Sequence, residues 1–328
     1  MKKIFPVFFT MLSAITPLHS QESNNPGKPV LELFTNFHYS MTDDTTTGFG
    51  LERAFVGYNY RFDQNLSALV LLNIGKPDDL PPDAEPRRYS YVREASFAYS
   101  LKRMNIIFGI TTTRLFGTQQ KFWGKRYLAE PIETLHDYGY NADLGVVFDF
   151  KPNDKLSLDV SVTNGEGYSN IQLDNNVKTS VGLTFNPGEK ITFRLYGDFL
   201  IPGEMFHSTL LCFAGYKNDI FTVGAEAIYQ TRHENINDHD LWGFSGTGSV
   251  TVCRNTELFV RYDHSASVKL RGGIAQRIHD DDDDFLMGGI QYTFSKNLRM
   301  ALNYQGTFPG GSGETGKELI YLNTRFYF

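Results

Sequence analysis

Three stretches of the 328-residue sequence concentrate residues able to do chemistry. The first, 114–139, carries Arg114, Lys121, Lys125, Arg126 and His136 together with Glu130, Glu133 and Asp137. Mixed cations and carboxylates in one segment suit the electrostatic steering of a charged solute better than a bond-making step. The second is His279 followed by Asp280 to Asp284. Hard cations favour oxygen ligands, but five neighbouring carboxylates on an extended loop cannot all turn to one ion. A solvated acidic loop tip is expected, with divalent ions bridging lipopolysaccharide as its one alternative use. The third is His233, Glu234, Asp238, His239 and Asp240, which lacks a fixed ligand spacing, so no metal centre is expected. Gly246, Gly248 and Ser249 fall inside an extended run rather than between a strand and a helix, which argues against a nucleotide site. Gly-x-Ser-x-Gly is absent, and Asp263 beside His264 is the only hint of a hydrolase. No catalytic residue, metal or cofactor is expected.

The elements that position these residues announce themselves by alternation. Leu156, Leu158, Val160 and Val162 alternate with Ser157, Asp159, Ser161 and Thr163; Leu298, Met300, Leu302 and Tyr304 alternate with Arg299, Ala301 and Asn303. A period of two marks strands with one apolar and one polar face. Sixteen such runs are expected, near 30–40, 51–62, 66–75, 91–101, 105–113, 140–150, 156–165, 177–186, 191–200, 207–216, 220–230, 241–252, 257–266, 285–294, 298–307 and 318–328. Seven short connectors alternate with eight long ones. That is the tally of sixteen antiparallel strands whose termini lie on one side. Cys212 and Cys253 fall on the tenth and twelfth runs, with another run between, so no disulfide is expected.

Composition excludes several classes. Aromatic residues make up 14% and charged residues 21%, which argues against disorder. Past residue 20 no stretch approaches the ~18 apolar residues of a spanning helix. A net charge of −6 argues against general nucleic-acid binding. Lys2 and Lys3 followed by the apolar stretch 4–15 read as a signal peptide over 1–20, with 21–29 a short segment before a barrel over 30–328.

The fold class expected is therefore all-β: a closed antiparallel transmembrane β-barrel of about 16 strands in the bacterial outer membrane. Phe62, Tyr99, Phe150, Phe185, Phe294 and Phe328 sit on the apolar face beside short connectors, as an aromatic girdle does. A closed barrel also pairs every backbone group in lipid. Sixteen strands enclose a water-filled lumen, so the implied function is a pore for small hydrophilic solutes or ions. Strand parity turns Arg53, Arg61, Lys178, Arg194, Arg261, Arg299 and Arg325 inward. Facing them are Glu32, Glu94, Asp143, Asp149, Asp159, Asp198, Glu226 and Asp263. Each is more readily a wall-bracing ion pair than a solute contact. Segment 114–139 is expected to fold into the lumen, with Arg114, Lys121, Lys125, Arg126, Glu130 and Glu133 at the constriction. The alternatives are a barrel enzyme with a hydrolytic site at its rim, and a non-conducting structural or secretion-partner barrel.

Local motifs add a resemblance. Glu52-Arg53-Ala54 opens the second run, and Arg93-Glu94-Ala95-Ser96-Phe97-Ala98-Tyr99 leads through a tight turn to Ile107-Phe108-Gly109-Ile110. Asp143-Leu144-Gly145-Val146 follows the longest loop, and Val162-Thr163-Asn164-Gly165-Glu166-Gly167 ends a strand. Over about 40–190 the chain resembles the phosphate-selective porin O and P family, in a short form of the kind found in Bacteroidetes-type bacteria. The resemblance implies a sixteen-stranded barrel, a homotrimer in outer-membrane lipid and lipopolysaccharide, and a loop that guides anions past arginines and lysines. Lys121, Lys125 and Arg126 match that loop. The family's long ladder of inward arginines has no counterpart, and Glu130 and Glu133 share the loop.

Overall fold

The computed structural model describes residues 26–42, 46–75, 88–172, 175–201, 206–237, 239–268, 282–310 and 315–328. The expected leader and His279 to Asp281 lie outside the described residues. Sixteen strands form one closed barrel, each antiparallel to its sequence neighbours. They are β1 (Gly27–Ser40), β2 (Gly48–Arg61), β3 (Leu66–Gly75), β4 (Tyr89–Ser100), β5 (Met104–Thr112), β6 (Ala142–Asn153), β7 (Leu156–Thr163) and β8 (Lys178–Phe185). The circuit continues through β9 (Ile191–Leu200), β10 (His207–Lys217), β11 (Phe221–Thr231), β12 (Asp240–Cys253), β13 (Thr256–Val268), β14 (Asp283–Ser295), β15 (Leu298–Pro309) and β16 (Lys317–Tyr327). Pairing of Glu32 to Ser40 with Tyr327 to Leu319 closes the ring, leaving no sheet edge. β1 begins inside the segment expected to precede the barrel. Pro29 is tolerated there because β16 pairs only from Glu32 onward, so on that side no ladder bond needs its missing N–H.

Alternation resolves into an inside and an outside. On β9, Phe193, Leu195 and Phe199 face out and are exposed, while Arg194, Tyr196 and Asp198 are buried in the lumen. The six aromatics beside the short turns are all exposed on the outer wall, as expected of a girdle. Cys212 and Cys253 are free and exposed. Leu195 stands midway along β9 on the lipid face. Leu195→Arg is expected to cost about 2–4 kcal/mol, the range for a cation near the bilayer midplane. A urea refolding midpoint in lipid vesicles checks it, and an unchanged midpoint would mean that this wall does not face lipid.

Three register shifts lie at short turns, and two more, within the wall, break strict parity. The β1–β2 register slips between Phe34 and Thr35, leaving Glu52 as an extra residue opposite. The β3–β4 register slips between Leu71 and Leu72, leaving Arg93 extra. Such bulges re-aim side chains. Strict alternation from inward Arg53 and Glu94 would turn Glu52 and Arg93 toward lipid; instead both line the lumen.

Candidate functional site: a loop-narrowed lumen

Residues 113–141 fold into the barrel. Their stem is tied by Thr113 N to Asn141 O (3.2 Å) and Thr113 Oγ1 to Tyr140 O (2.8 Å). Two short helices follow that alternation did not foretell, α1 (Gly117–Trp123) and α2 (Ile132–Leu135). Gly124, at φ +72° with its N–H on Gln120 O, stops α1 in a left-handed position suited to glycine. α1 leans on β11 and α2 on β12. Phe122 stacks edge-on to Phe213 and passes over Gly215, where a Cβ would come within 2.5 Å of its ring.

A loop inside a barrel must satisfy its backbone without bulk water. The wall does this with side chains: Arg194 Nη2 donates to Arg114 O (2.5 Å), Gln305 Nε2 to Leu128 O (3.0 Å), Arg261 Nη1 to Glu130 O (2.6 Å) and Gln230 Nε2 to Tyr138 O (2.7 Å). Two apolar clusters complete the seat. Leu115, Phe116 and Tyr138 pack on Tyr196, Leu211, Phe213, Ile228 and Leu241; Trp123, Tyr127 and Leu128 pack on Phe34, Phe259, Phe285, Met287 and Ala301. The loop thereby covers the wall from β9 round to β1. Leu71 is buried against Gly57 and belongs to neither cluster.

The expected constriction residues separate into two groups. Arg114 is bidentate to Asp149 (2.9 and 2.8 Å), and Lys125 is buried on Glu257 Oε1 (2.7 Å) near the short-turn end. Glu133 is wholly buried, accepts Gln119 Nε2 (2.6 Å) and hydrogen-bonds Glu226. These three anchor the loop rather than face the opening, because each is paired with a residue of the wall or of the loop itself. Burial pushes the Glu133 carboxyl up to about 7 and lowers His136 to about 4. Lys121 is exposed on α1. Arg126 and Glu130, paired with each other, do line the opening.

The expected inward charges mostly brace the wall. Arg194 grips Asp159 (2.8 and 3.1 Å), Arg325 holds Glu32 (2.8 Å), Lys178 meets Asp198 (3.3 Å), and Arg261 is paired with Asp263. Asp143 accepts the Leu144 and Gly165 backbone N–H groups. Arg61 is exposed beside a short turn, and the Arg299 Nε is buried without a hydrogen bond.

The open part of the lumen lies against β1–β4. One cavity of about 350 Å³ is lined by Glu52, Arg53, Tyr91, Arg93, Arg126, Glu130 and Tyr168. A second, of about 280 Å³, shares Glu52, Arg53, Arg126 and Glu130 and continues toward β15 and β16. The Arg53 guanidinium lies over Phe34 (4.8 Å) and Phe55 (4.4 Å), and that of Arg93 over Tyr168 (5.1 Å). Aromatic faces hold these planes without consuming their N–H donors.

The other clusters are structural. His233 is fully buried between Tyr138 and His239, with Nδ1 on Gln230 (2.5 Å). No group of described residues could hold a metal ion. The described end of the acidic run is tied down rather than solvated: Asp282 accepts Ser267 N, Asp283 meets His136, and Asp284 accepts Tyr262 and His264. Asp263 points inward while His264 lies on the outer wall against Trp242, so the hinted pair is split across the sheet.

Neither a family model nor a curated protein sequence matches the chain. Among solved structures the barrel is similar to OmpF of Salmonella typhi in complex with daunomycin, with a TM-score of 0.69 at 10% identity over 93% of this chain and 98% of that one. It has the fold of an outer-membrane β-barrel. An anion-selective porin from Comamonas acidovorans superposes at TM-score 0.66 and 10% identity, covering 92% of this chain and 99% of that one. The trimer form of OmpT, an outer-membrane protein of Vibrio cholerae, gives 0.63 at 14% identity, covering 92% and 99%. The barrel carries an inserted loop and an off-centre lumenal opening lined by Arg53, Arg93, Arg126, Glu52 and Glu130.

Proposed function

We propose that the protein is a passive, non-enzymatic outer-membrane channel for small hydrophilic solutes, preferring anions, and that it reaches the membrane through a signal peptide over 1–20. The observation that carries this reading is the convergence of Arg53, Arg93 and Arg126 on one opening. Most other lumenal cations are tied closely to carboxylates, whereas Arg53 stands 3.7 Å from Glu32 and Arg93 4.0 Å from Glu94, and Arg126 is paired with Glu130 at the opening itself. Rings of charge at a narrow point set ionic selectivity. The inserted loop and its arginine fit the resemblance to the phosphate-selective porins. Kinship with that family and assembly as a homotrimer among lipopolysaccharide are parts of the same proposal.

Single-channel current of the refolded protein under a KCl gradient tests it. Stable steps with a reversal potential of anion sign are expected, and Arg53→Glu with Arg126→Glu is expected to turn the sign to cation. A reversal potential that ignores both substitutions would mean that the arginines do not govern the path. No conductance from a folded barrel would remove the channel reading.

A further inference from the structure

The opening does not look like a site for a small, doubly charged oxyanion. Its three guanidiniums share the cavity with two carboxylates, Glu52 and Glu130, so the five groups sum to a single positive charge. A dianion would meet both carboxylates, whereas a monoanion matches the balance. The cavity of about 350 Å³ has room for far more than one water. Inorganic phosphate, with five heavy atoms, leaves much of that space empty, while a six-carbon sugar acid, with thirteen, fits within it. The donors and acceptors are also sorted. Arg53, Arg93 and Arg126 line the space, with Arg53 and Arg93 laid on aromatic faces and their carboxylate partners Glu32 and Glu94 no nearer than 3.7 and 4.0 Å. Glu52 accepts one bond, from Asn36 Nδ2 (2.6 Å), and Glu130 pairs with Arg126, which leaves lone pairs on both carboxylates. A carboxylate therefore has donors on one side, and hydroxyl groups have acceptors on the other.

We propose that this opening is a subsite for hydroxylated monocarboxylates of hexuronate size, taken in preference to inorganic phosphate. The inference rests on the channel reading and refines it. The carboxylate docks on the arginines, and the ring hydroxyls donate to Glu52 and Glu130. A neutral sugar brings no charge to the arginines, and an amino sugar adds a cation beside them.

The test is current block of the full-length refolded channel in a planar bilayer, with sodium glucuronate, glucose, glucosamine or sodium phosphate added to one side. Glucuronate is expected to half-block at a concentration about tenfold below phosphate, the discrimination one charge-assisted hydrogen bond can supply. Glu52→Gln with Glu130→Gln is expected to bring the two anions within about threefold, because the amides weaken the hydroxyl acceptors and relieve the repulsion of phosphate. Phosphate blocking as well as glucuronate, glucose blocking as well as glucuronate, or the paired amide variant keeping the full preference would each overturn the subsite. Conducting steps without any glucuronate block overturn it while leaving the channel intact. A folded barrel that passes no current overturns both.

Discussion

Arg261→Met is expected to destabilise the barrel by about 3–5 kcal/mol and to make its single-channel current noisy. Arg261 is buried at 1% exposure, pairs through Nε and Nη2 with Asp263, and donates Nη1 to the Glu130 carbonyl of the inserted loop. Its guanidinium is sandwiched between Trp123 of the loop and Phe285 of the wall, each ring 5.3 Å away. One side chain thus neutralises a buried carboxylate, satisfies a loop carbonyl and joins loop to wall by stacking. Methionine keeps the volume but strands Asp263 beside Glu133 and Glu226. The cost comes mainly from that stranded charge, so Arg261→Met with Asp263→Leu is expected to recover most of the loss, since apolar replacement of both partners of a buried pair is often neutral. Urea unfolding in lipid vesicles measures both variants. If the single and double substitutions agree within roughly 1 kcal/mol, the Coulombic account is wrong and lost packing explains the effect. The current noise is expected to persist in the double variant, because Glu130 O still lacks its donor.

The strand tally and the outward aromatic girdle were legible because lipid and water impose a period of two on every strand. What alternation cannot register is a place where the inside is not water. Leu210-Leu211-Cys212-Phe213 is apolar on both faces, and so is the stretch Phe285-Leu286-Met287. Leu211, Phe213, Phe285 and Met287 point inward and seat the loop. Loss of polar alternation on β10 to β15 was the available signal for where the loop would lie. The opening itself was half hidden for a different reason. A single extra residue in β2 and another in β4 bring Glu52 and Arg93 to the inner face, and no residue type announces a bulge. Arg53, Arg126 and Glu130 were found by parity and loop position. Lys125 was misjudged as a pore cation because its partner, Glu257, is 132 residues away in sequence.

Titration of Glu133 between about 4.5 and about 7 is expected to weaken the hold of the inserted loop. Glu133 sits wholly buried on α2, hydrogen-bonded to Glu226 of β11, with Gln119 of α1 on its other side and the Arg261–Asp263 pair of β13 nearby. Arg261 is already matched by Asp263, so ionising both glutamates leaves uncompensated negative charge under the loop. The docked loop holds the Glu133 proton up to about 7, against an ordinary value of 4.5. A carboxyl whose docked value is raised contributes its stabilisation in full below the ordinary value and loses it as pH rises through the docked value. At about 1.4 kcal/mol per unit of displacement, the change amounts to a few kcal/mol of docking energy. His136, held down to about 4 against an ordinary 6.5, is neutral in the docked loop but protonated in a freed one over most of this window, so its linkage runs the other way and opposes that of Glu133. With His136→Gln as the parent, which removes the opposing linkage, bilayer recordings at a series of pH values are expected to show larger and noisier conductance toward alkaline pH. Adding Glu133→Gln, which keeps a hydrogen-bonding side chain without the titration, is expected to flatten that dependence. Equal pH dependence in the variant and the parent would place the titrating group elsewhere in the lumen and leave the carboxyl pair a purely structural contact.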